Sequence, residues 1–589
     1  MVLQPQNIDS FDFIICGGGT AGCVVAAGLA EDPTTTILII EAGSLIKDLE
    51  NVHMVGGWSG LLDKESDWNI ITTPGTGINN RQVKLSRGKL LGGCSGCNGT
   101  LCIRGSKQDY DDWHMPGWSG EEFLAYMRKA ESFVSKPWFK ASKSSHGYSG
   151  KLGVEPHDLA PISKLVLQSM QSKGLPLDDD MFSHGENPHG CGHVPRTVTN
   201  GVRTTGADFI TNANARNNIT ILAGSHVEKV ILERGPDGEL MATGVKALSG
   251  DGQIIQFTAK KEVIVSGGAY CSPNILNRSG IGAKQELEKA GITTLVDLPG
   301  VGKNLMDHLI VFIFYETDQP GLTNDHLVHH KDAFAKSYAL WKAEKKGFLS
   351  TFPFGAFAFA RLDERLSESE LWNKAPREQG RDPMGLTPAQ PSIEFFTTEC
   401  YGGPKQFSDF PVDGKSAFSI IVELFGSRSR GTVALKDANP LSAPIVDCQY
   451  LSDPLDVEVL AEACHFGNEI ITQGSGTKDI VKGSWPPEAA HHTFSSREEW
   501  VPYVKNNATT CYHAAGTCRM GDLLDERTVV DHNLCVKGVK SLRVVDVSIM
   551  PILHGGHTQM PAFGIGEKAA DLIKKSWQVV EVKKPAKAV

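Results

Sequence analysis

The chain has no run of about 18 apolar residues, the length a membrane-spanning helix requires. It has no internal repeat at solenoid spacing in its 589 residues. Positive charge is scarce: 58 Lys and Arg stand against 68 Asp and Glu, a net charge of -10. That balance argues against nucleic acid as the main partner, for which a clustered basic face is expected. The first ten residues, Met1 to Ser10, lack the basic start and apolar stretch of a secretory leader, and Lys587-Ala588-Val589 is not a peroxisomal tail. A cytoplasmic protein with no membrane partner is expected. The thirteen cysteines are an odd number without scaffold spacing, and Cys94-x-x-Cys97 has no second pair to complete a zinc set. Reduced thiols and no metal site are therefore expected. The length is too great for one ordinary core and points to a large α/β domain plus a second domain.

What is present begins near the N-terminus. Phe11–Cys16 is a short apolar run of the buried parallel-strand type. It leads into Gly17-Gly18-Gly19-Thr20-Ala21-Gly22, then into Cys23–Ala30, which is small and apolar enough for a helix lying on a sheet. Thr36–Ile40 reads as the next strand and ends at Glu41. Gly17, Gly19 and Gly22 satisfy G-x-G-x-x-G: a tight turn, close approach of backbone to a pyrophosphate, and close helix–strand packing. The helix N-terminus offers free N–H groups to phosphate. Glu41, at a strand end, is placed to accept from ribose hydroxyls, and a carboxylate there would repel the extra phosphate of NADP. These residues do not separate FAD from NAD.

Arg87–Gly99 is a second glycine-rich loop, whose backbone N–H groups suit a flat or anionic ligand. Val263–Ala269 reads as a strand running into small residues, and Ser272-Pro273 as the N-cap and first position of a helix. Val301–His308 follows. Two C-terminal blocks, Tyr512–Met520 and Gly555–Pro561, carry His513 and His557. Two imidazoles delivered to one site can take a proton from a hydroxyl and hold the resulting oxygen. Beside small residues either one can equally be a structural hydrogen-bond donor.

Together these blocks resemble the glucose–methanol–choline (GMC) family of FAD-dependent oxidoreductases, fungal type. Gly88–Asn98 and Gly268–Gly282 are similar to its two signatures; Asn304–His308, Gly516-Thr517 and Asp546–Ser548 are further likenesses. The middle, roughly 310–510, is matched mainly at Ser429–Val433 and Tyr450-Leu451. The resemblance implies FAD, with Gly17, Gly19, Thr20, Ala21 and Gly22 at the pyrophosphate and Glu41 at the adenosine ribose. It implies Gly92, Gly93, Cys94 and Asn98 along the flavin, Val227 at adenine, Asp546, His557 and Thr558 closing over the cofactor, and Trp68 touching it. It makes His513 and His557 the catalytic pair. Cys97 replaces an aliphatic residue of the signature and is a candidate covalent anchor for the flavin, against the alternative of a small packed thiol. Fungal formate oxidase, similar in its termini, has Arg where His557 stands, so formate oxidation is not expected.

The implied architecture is a Rossmann-like FAD-binding domain, a parallel sheet with helices, joined to a substrate domain on an antiparallel sheet. The expected division is 8–160, 195–308 and 511–578 for the FAD-binding domain and 161–194 with 309–510 for the substrate domain. Leu309–Tyr315, Ser392–Thr397, Phe418–Leu424 and Thr432–Leu435 have the alternation of strands of one antiparallel sheet. Lys140–Ser149 reads as a surface loop and 361–390 as a polar, exposed excursion. Aromatics at Phe352, Phe354, Phe357, Phe359, Phe395, Phe396, Tyr401 and Phe425 are expected mainly in the core; any that reach the site favour an apolar or aromatic substrate over a sugar. The implied reaction is oxidation of a small alcohol by hydride transfer to the flavin with a His base, electrons passing to oxygen or a quinone-type acceptor. The alternative is a non-redox lyase or cyclase of the same fold using both His residues as acid and base.

Overall fold

The structure, a computed structural model, describes residues 10–211, 217–401 and 414–583. The terminal segments on which the targeting expectations rest, 1–9 and 584–589, lie outside the described residues. Two seven-stranded sheets organise the chain. In the first, Ser10–Cys16 lies between Ile37–Ile40 and Ile254–Val265, parallel to both. Ile219–Leu222 extends it on one side, and Leu542–Val544 pairs in parallel with Ile254–Val265. His226–Arg234 and Leu240–Leu248 add an antiparallel flap. Phe13 to Cys16 and Ile37 to Ile40 are almost fully buried, as expected of strands covered on both faces.

The helix Thr20–Leu29 packs on this sheet and meets Gln559–Lys583, the C-terminal helix, so that the two ends of the chain close one layer. An added Cβ at Gly28 would lie 2.5 Å from Cβ of Ala570. Small residues at this crossing permit that approach.

The second sheet runs Gly483–Trp485, Leu309–Thr317, Ser416–Leu424, Ile393–Thr398, Phe354–Ala360, Gly190–Gly192, with Thr509–Thr510 also paired to Leu309–Thr317. Its pairs are antiparallel. Three of the four expected strands are here. Thr432–Ala434 is not: it pairs with Ile445–Asp447 in a separate two-stranded ribbon.

Three further expectations are corrected. The stretch 361–390 is not simply exposed, because Leu362, Leu366 and Trp372 are buried; these few apolar anchors hold an otherwise polar excursion to the second core. Within Lys140–Ser149, Ser145 and His146 are buried, with His146 Nδ1 3.1 Å from Glu131 and Nε2 3.1 Å from Asp180. The helix expected to start at Ser272-Pro273 starts at Gly268 and runs to Arg278 with Pro273 inside it. A proline there leaves the Ala269 carbonyl without its helical N–H donor. Thr517 supplies the missing proton, its hydroxyl donating to that carbonyl at 2.6 Å.

Candidate active site

One cavity of about 1310 Å³ runs along the first sheet and ends against the second. That exceeds the usual 300–1,000 Å³ of small-molecule pockets. Gly17, Gly19, Thr20, Ala21, Glu41, Trp68, Gly93, Cys94, Cys97, Asn98, Val227, Asp546, Thr558, His513 and His557 all line it. Gly22 and Gly92 are not among the lining residues. They shape the wall from behind: a Cβ at Gly22 would lie 2.2 Å from the Gly17 carbonyl oxygen, while Gly92, at φ +91°, donates its N–H to Gly18 at 2.7 Å.

The dinucleotide end is built on the first strand–turn–helix. No side chain caps the helix starting at Thr20, whose N-cap is Gly19, so its first N–H groups remain available to an anion. Glu41 accepts from the N–H groups of Gly18 at 2.9 Å and Gly43 at 2.8 Å. Burial still pushes its carboxyl up to about 7. Asp546 is saturated by protein donors: Gly268 N–H at 2.9 Å, the Ser272 hydroxyl at 2.6 Å and Ser548 N–H at 2.8 Å. Its carboxylate therefore organises the wall. Asn98 Oδ1 takes the Arg203 guanidinium at 2.8 Å, and its amide donates to Gln559.

At the other end the two histidines meet. The rings of His513 and His557 lie 4.5 Å apart at 62°, and both residues are buried, 7% and 5% exposed. Sheet register explains what lies behind them. Glu394 and Glu423 are direct cross-strand partners, so two acids stand side by side in the interior, an arrangement that is destabilising without a cation. His557 provides it, with Nε2 3.3 Å from Glu394 and 3.4 Å from Glu423. The other oxygen of Glu423 lies 3.1 Å from His513 Nδ1 and 2.9 Å from His308 Nδ1. Cys511 donates to Glu423 at 3.2 Å. Asp307 fixes the backbone, accepting His513 N–H at 2.8 Å, the Tyr450 hydroxyl at 2.5 Å and the Thr510 hydroxyl at 2.6 Å.

The electrostatics follow from this geometry. Burial alone would lower His557, but Glu394 and Glu423 outweigh it and raise its pKa to about 10. Burial and the neighbouring His557 charge lower His513 to about 3, against the pull of Glu423. Glu423 overcomes its own burial through His557 and His513 and is held well below the carboxylate range. Burial raises Glu394 to about 7. At neutral pH the cluster therefore holds an imidazolium at 557, a carboxylate at 423 and a neutral imidazole at 513 whose Nδ1 lies 3.1 Å from that carboxylate and 3.0 Å from His308 Nδ1.

No metal site is expected from the sequence, and Glu394, Glu423 and the part played by His308 are not foreseen in it. Glu423, Cys511, His513 and His557 nonetheless bring four ligand-type atoms within 4.8 Å of one another. Three of them are already hydrogen-bonded to each other through Glu423. The available signal for the acids was a Glu inside an apolar strand, in Ser392-Ile393-Glu394-Phe395-Phe396 and Ile421-Val422-Glu423-Leu424.

Known proteins match this chain throughout. Models of the GMC oxidoreductase family match residues 11–310 and 427–566. Pyranose dehydrogenase 3 of Leucoagaricus meleagris is 31% identical over 97% of this chain and 94% of its own. Alcohol dehydrogenase [acceptor] of Pseudomonas putida is 32% identical over 96% of this chain and 95% of its own. The crystal structure of formate oxidase superposes with a TM-score of 0.89 at 29% identity, covering 98% of this chain and 100% of that one. The chain belongs to the GMC oxidoreductase family. It is an FAD-dependent oxidoreductase acting on CH–OH donors. The wall fits FAD: an uncapped helix start at Gly19 meets a phosphate's needs, and Gly17 and Gly93 adopt positive φ where a Cβ would strike Ser266 at 2.4 Å and Gly19 at 2.8 Å. Among the described residues no helix is long and apolar enough to cross a membrane.

Proposed function

We propose that the protein oxidises an apolar, aryl-type primary alcohol, with His513 taking the hydroxyl proton and electrons passing on to oxygen or a quinone-type acceptor. The observation carrying this reading is the register pair Glu394 and Glu423 with the two imidazoles seated against it. Bound FAD supplies the two-electron acceptor for the substrate's hydride. Gly17, Gly19, Thr20 and Ala21 would hold its pyrophosphate end, and Gly93, Cys94, Asn98 and Thr558 would border its ring. The discontinuous division into an FAD-binding part and a substrate part, with the boundaries given above, is part of the same proposal.

An aliphatic hydroxyl does not ionise unaided at neutral pH, and a positioned base contributes roughly 10²–10⁴-fold. With its proton on Nδ1, toward Glu423 at 3.1 Å, His513 keeps Nε2 as the basic nitrogen of the ring. That Nε2 is the proton acceptor. As the proton arrives, Glu423 offsets the new charge. The His557 cation faces the substrate oxygen and stabilises developing alkoxide. Its rise in pKa comes from the two acids behind it, so it stays protonated while it does so.

The substrate class follows from the walls beside this cluster. Ile310, Phe312, Phe314, Phe352, Phe354 and Phe396 line the same cavity. Phe357, Phe359, Phe395 and Phe425 are core residues. A ring-bearing or long apolar alcohol would bury its surface here, whereas a sugar would leave hydroxyls facing phenyl rings without partners. A panel of benzylic, allylic, aliphatic and pyranose substrates, assayed with oxygen and with a quinone dye, tests the reading. The expected order places benzylic alcohols first; a clear preference for pyranoses overturns it.

A further inference from the structure

His308 is a third imidazole behind the pair at 513 and 557, and backbone pairing puts it there. Leu309 and Thr510 are partners in antiparallel strands. Cys511 N–H donates to the His308 carbonyl at 2.8 Å, and Met306 and Ala515 exchange hydrogen bonds at 3.0 and 2.9 Å. His308 and His513 are therefore held on facing segments, with their rings 5.2 Å apart. Their two Nδ1 atoms lie 3.0 Å from each other. Glu423 Oε1 is 2.9 Å from the first and 3.1 Å from the second. Two nitrogens at that distance bond only when one donates and the other accepts. His513 carries its proton on Nδ1, so His308 Nδ1 accepts and the proton of His308 sits on Nε2.

That Nε2 is buried and has no hydrogen-bond partner among the described residues. His308 lines a second cavity of about 20 Å³, together with Ser427, Arg430 and Ile552. A water molecule needs about 10–15 Å³ and a few polar neighbours, and this space offers room for one beside Ser427, Arg430 and His308. Arg430 and Ile552 are exposed, the latter by 43%, so the second cavity lies at the protein surface. His513 lines the large cavity, whereas His308 and Glu423 are not among its lining residues. His308 thus stands between the base and a separate opening to solvent.

We propose that His308 carries the substrate's hydroxyl proton from His513 to the second cavity, so that the proton leaves while the large cavity is still occupied. The substrate O–H bond breaks and an N–H bond forms at His513 Nε2. The Nδ1–H bond of His513 breaks and one forms at His308 Nδ1. The Nε2–H bond of His308 breaks, and that proton passes to water in the second cavity and on to solvent. One proton enters, one leaves, and no electrons move along the path. Glu423 Oε1 stays within 3.1 Å of both nitrogens and offsets the moving charge. Each ring ends with its proton on the other nitrogen. The same steps run backward once the product has gone: a proton enters at His308 Nε2 and one leaves from His513 Nε2. His308 touches no reacting atom and acts only through His513.

This inference rests on His513 being the base, and the test separates the two. Holoenzyme is mixed anaerobically with a benzylic alcohol in weakly buffered solution containing a pH-indicator dye, so that flavin bleaching and proton release are read together. In wild type both should proceed at rates within about twofold, also with the aldehyde product added to keep the large cavity occupied. In H308Q, whose amide passes no proton on, the dye signal should trail bleaching by about tenfold or more. In H308A, imidazole added to the solution should close that gap. H513N should bleach about 10²–10⁴ times more slowly; undiminished bleaching there overturns the base and the relay with it. A dye signal that keeps pace with bleaching in H308Q overturns the relay and leaves the base standing. So does a wild-type proton that never appears, or that the added aldehyde delays. The wild-type measurement decides alone should H308Q and H308A fail to fold.

Discussion

Replacing Glu423 with glutamine removes one charge from the buried cluster while keeping its shape. The carboxylate lies 3.1 Å from His513 Nδ1 and 3.4 Å from His557 Nε2. Between unit charges at these separations, an effective dielectric near 20 gives about 5 kcal/mol. The glutamine carbonyl still accepts one N–H, and Glu394 still faces His557, so roughly half of that is expected to be lost in the transition state. About 2.7 kcal/mol corresponds to about a hundredfold in kcat/KM. Glu394 sits closer to neutrality because burial raises it to about 7, so E394Q should cost clearly less and stay within about twofold of wild type. The assay is anaerobic stopped-flow reduction of the bound flavin by a benzylic alcohol, with flavin content and Tm as controls for folding. An E423Q protein that is folded and flavin-loaded, and reduces within about threefold of wild type, would refute the reasoning.

Other outcomes follow from the same structure. The kcat/KM profile should be flat through pH 6.5, because His513 is held at about 3, and should fall only in alkali as His557, raised to about 10, loses its proton; initial rates across pH 5–10 check this. Stability shares that sign: the raised folded pKa of His557 stabilises the protein fully below about pH 6.5, the unfolded value. That contribution is lost as pH rises toward about 10, so H557N should flatten the alkaline fall in Tm. G93A places a Cβ 2.8 Å from Gly19 Cα at φ +54°; strain of about 1–3 kcal/mol should appear as flavin loss on gel filtration. F312S should lower kcat/KM for a benzylic alcohol about tenfold, from the apolar burial a phenyl ring supplies, and leave allyl alcohol nearly unchanged.

The dinucleotide half was legible because its constraints are local. A strand, three glycines, a helix and an acid occur within about thirty residues, and Gly17, Gly19 and Glu41 fall on one cavity wall. The antiparallel sheet was readable from alternation except at Thr432–Ala434, whose partner Ile445–Asp447 is set by tertiary packing. Pro273 misled the helix boundary because its correction, the Thr517 hydroxyl, lies 244 residues away (517 − 273). Glu394 and Glu423 were invisible for a similar reason: an acid in a strand acquires meaning only through its cross-strand neighbour, and register is not local information. The low basicity of His513 was likewise out of reach, since it arises from burial and from His557. From sequence alone an imidazole is expected to titrate near its ordinary value.

Anaerobic single-turnover mixing of the holoenzyme with a benzylic alcohol at several pH values tests the central claim most directly. The account predicts bleaching of the flavin's visible absorption at a rate that does not change between about pH 5 and 8.5, the range in which His513 stays neutral and His557 charged. Product formation with the flavin left oxidised, or a reduction rate that falls with a midpoint near pH 6.5, would contradict it.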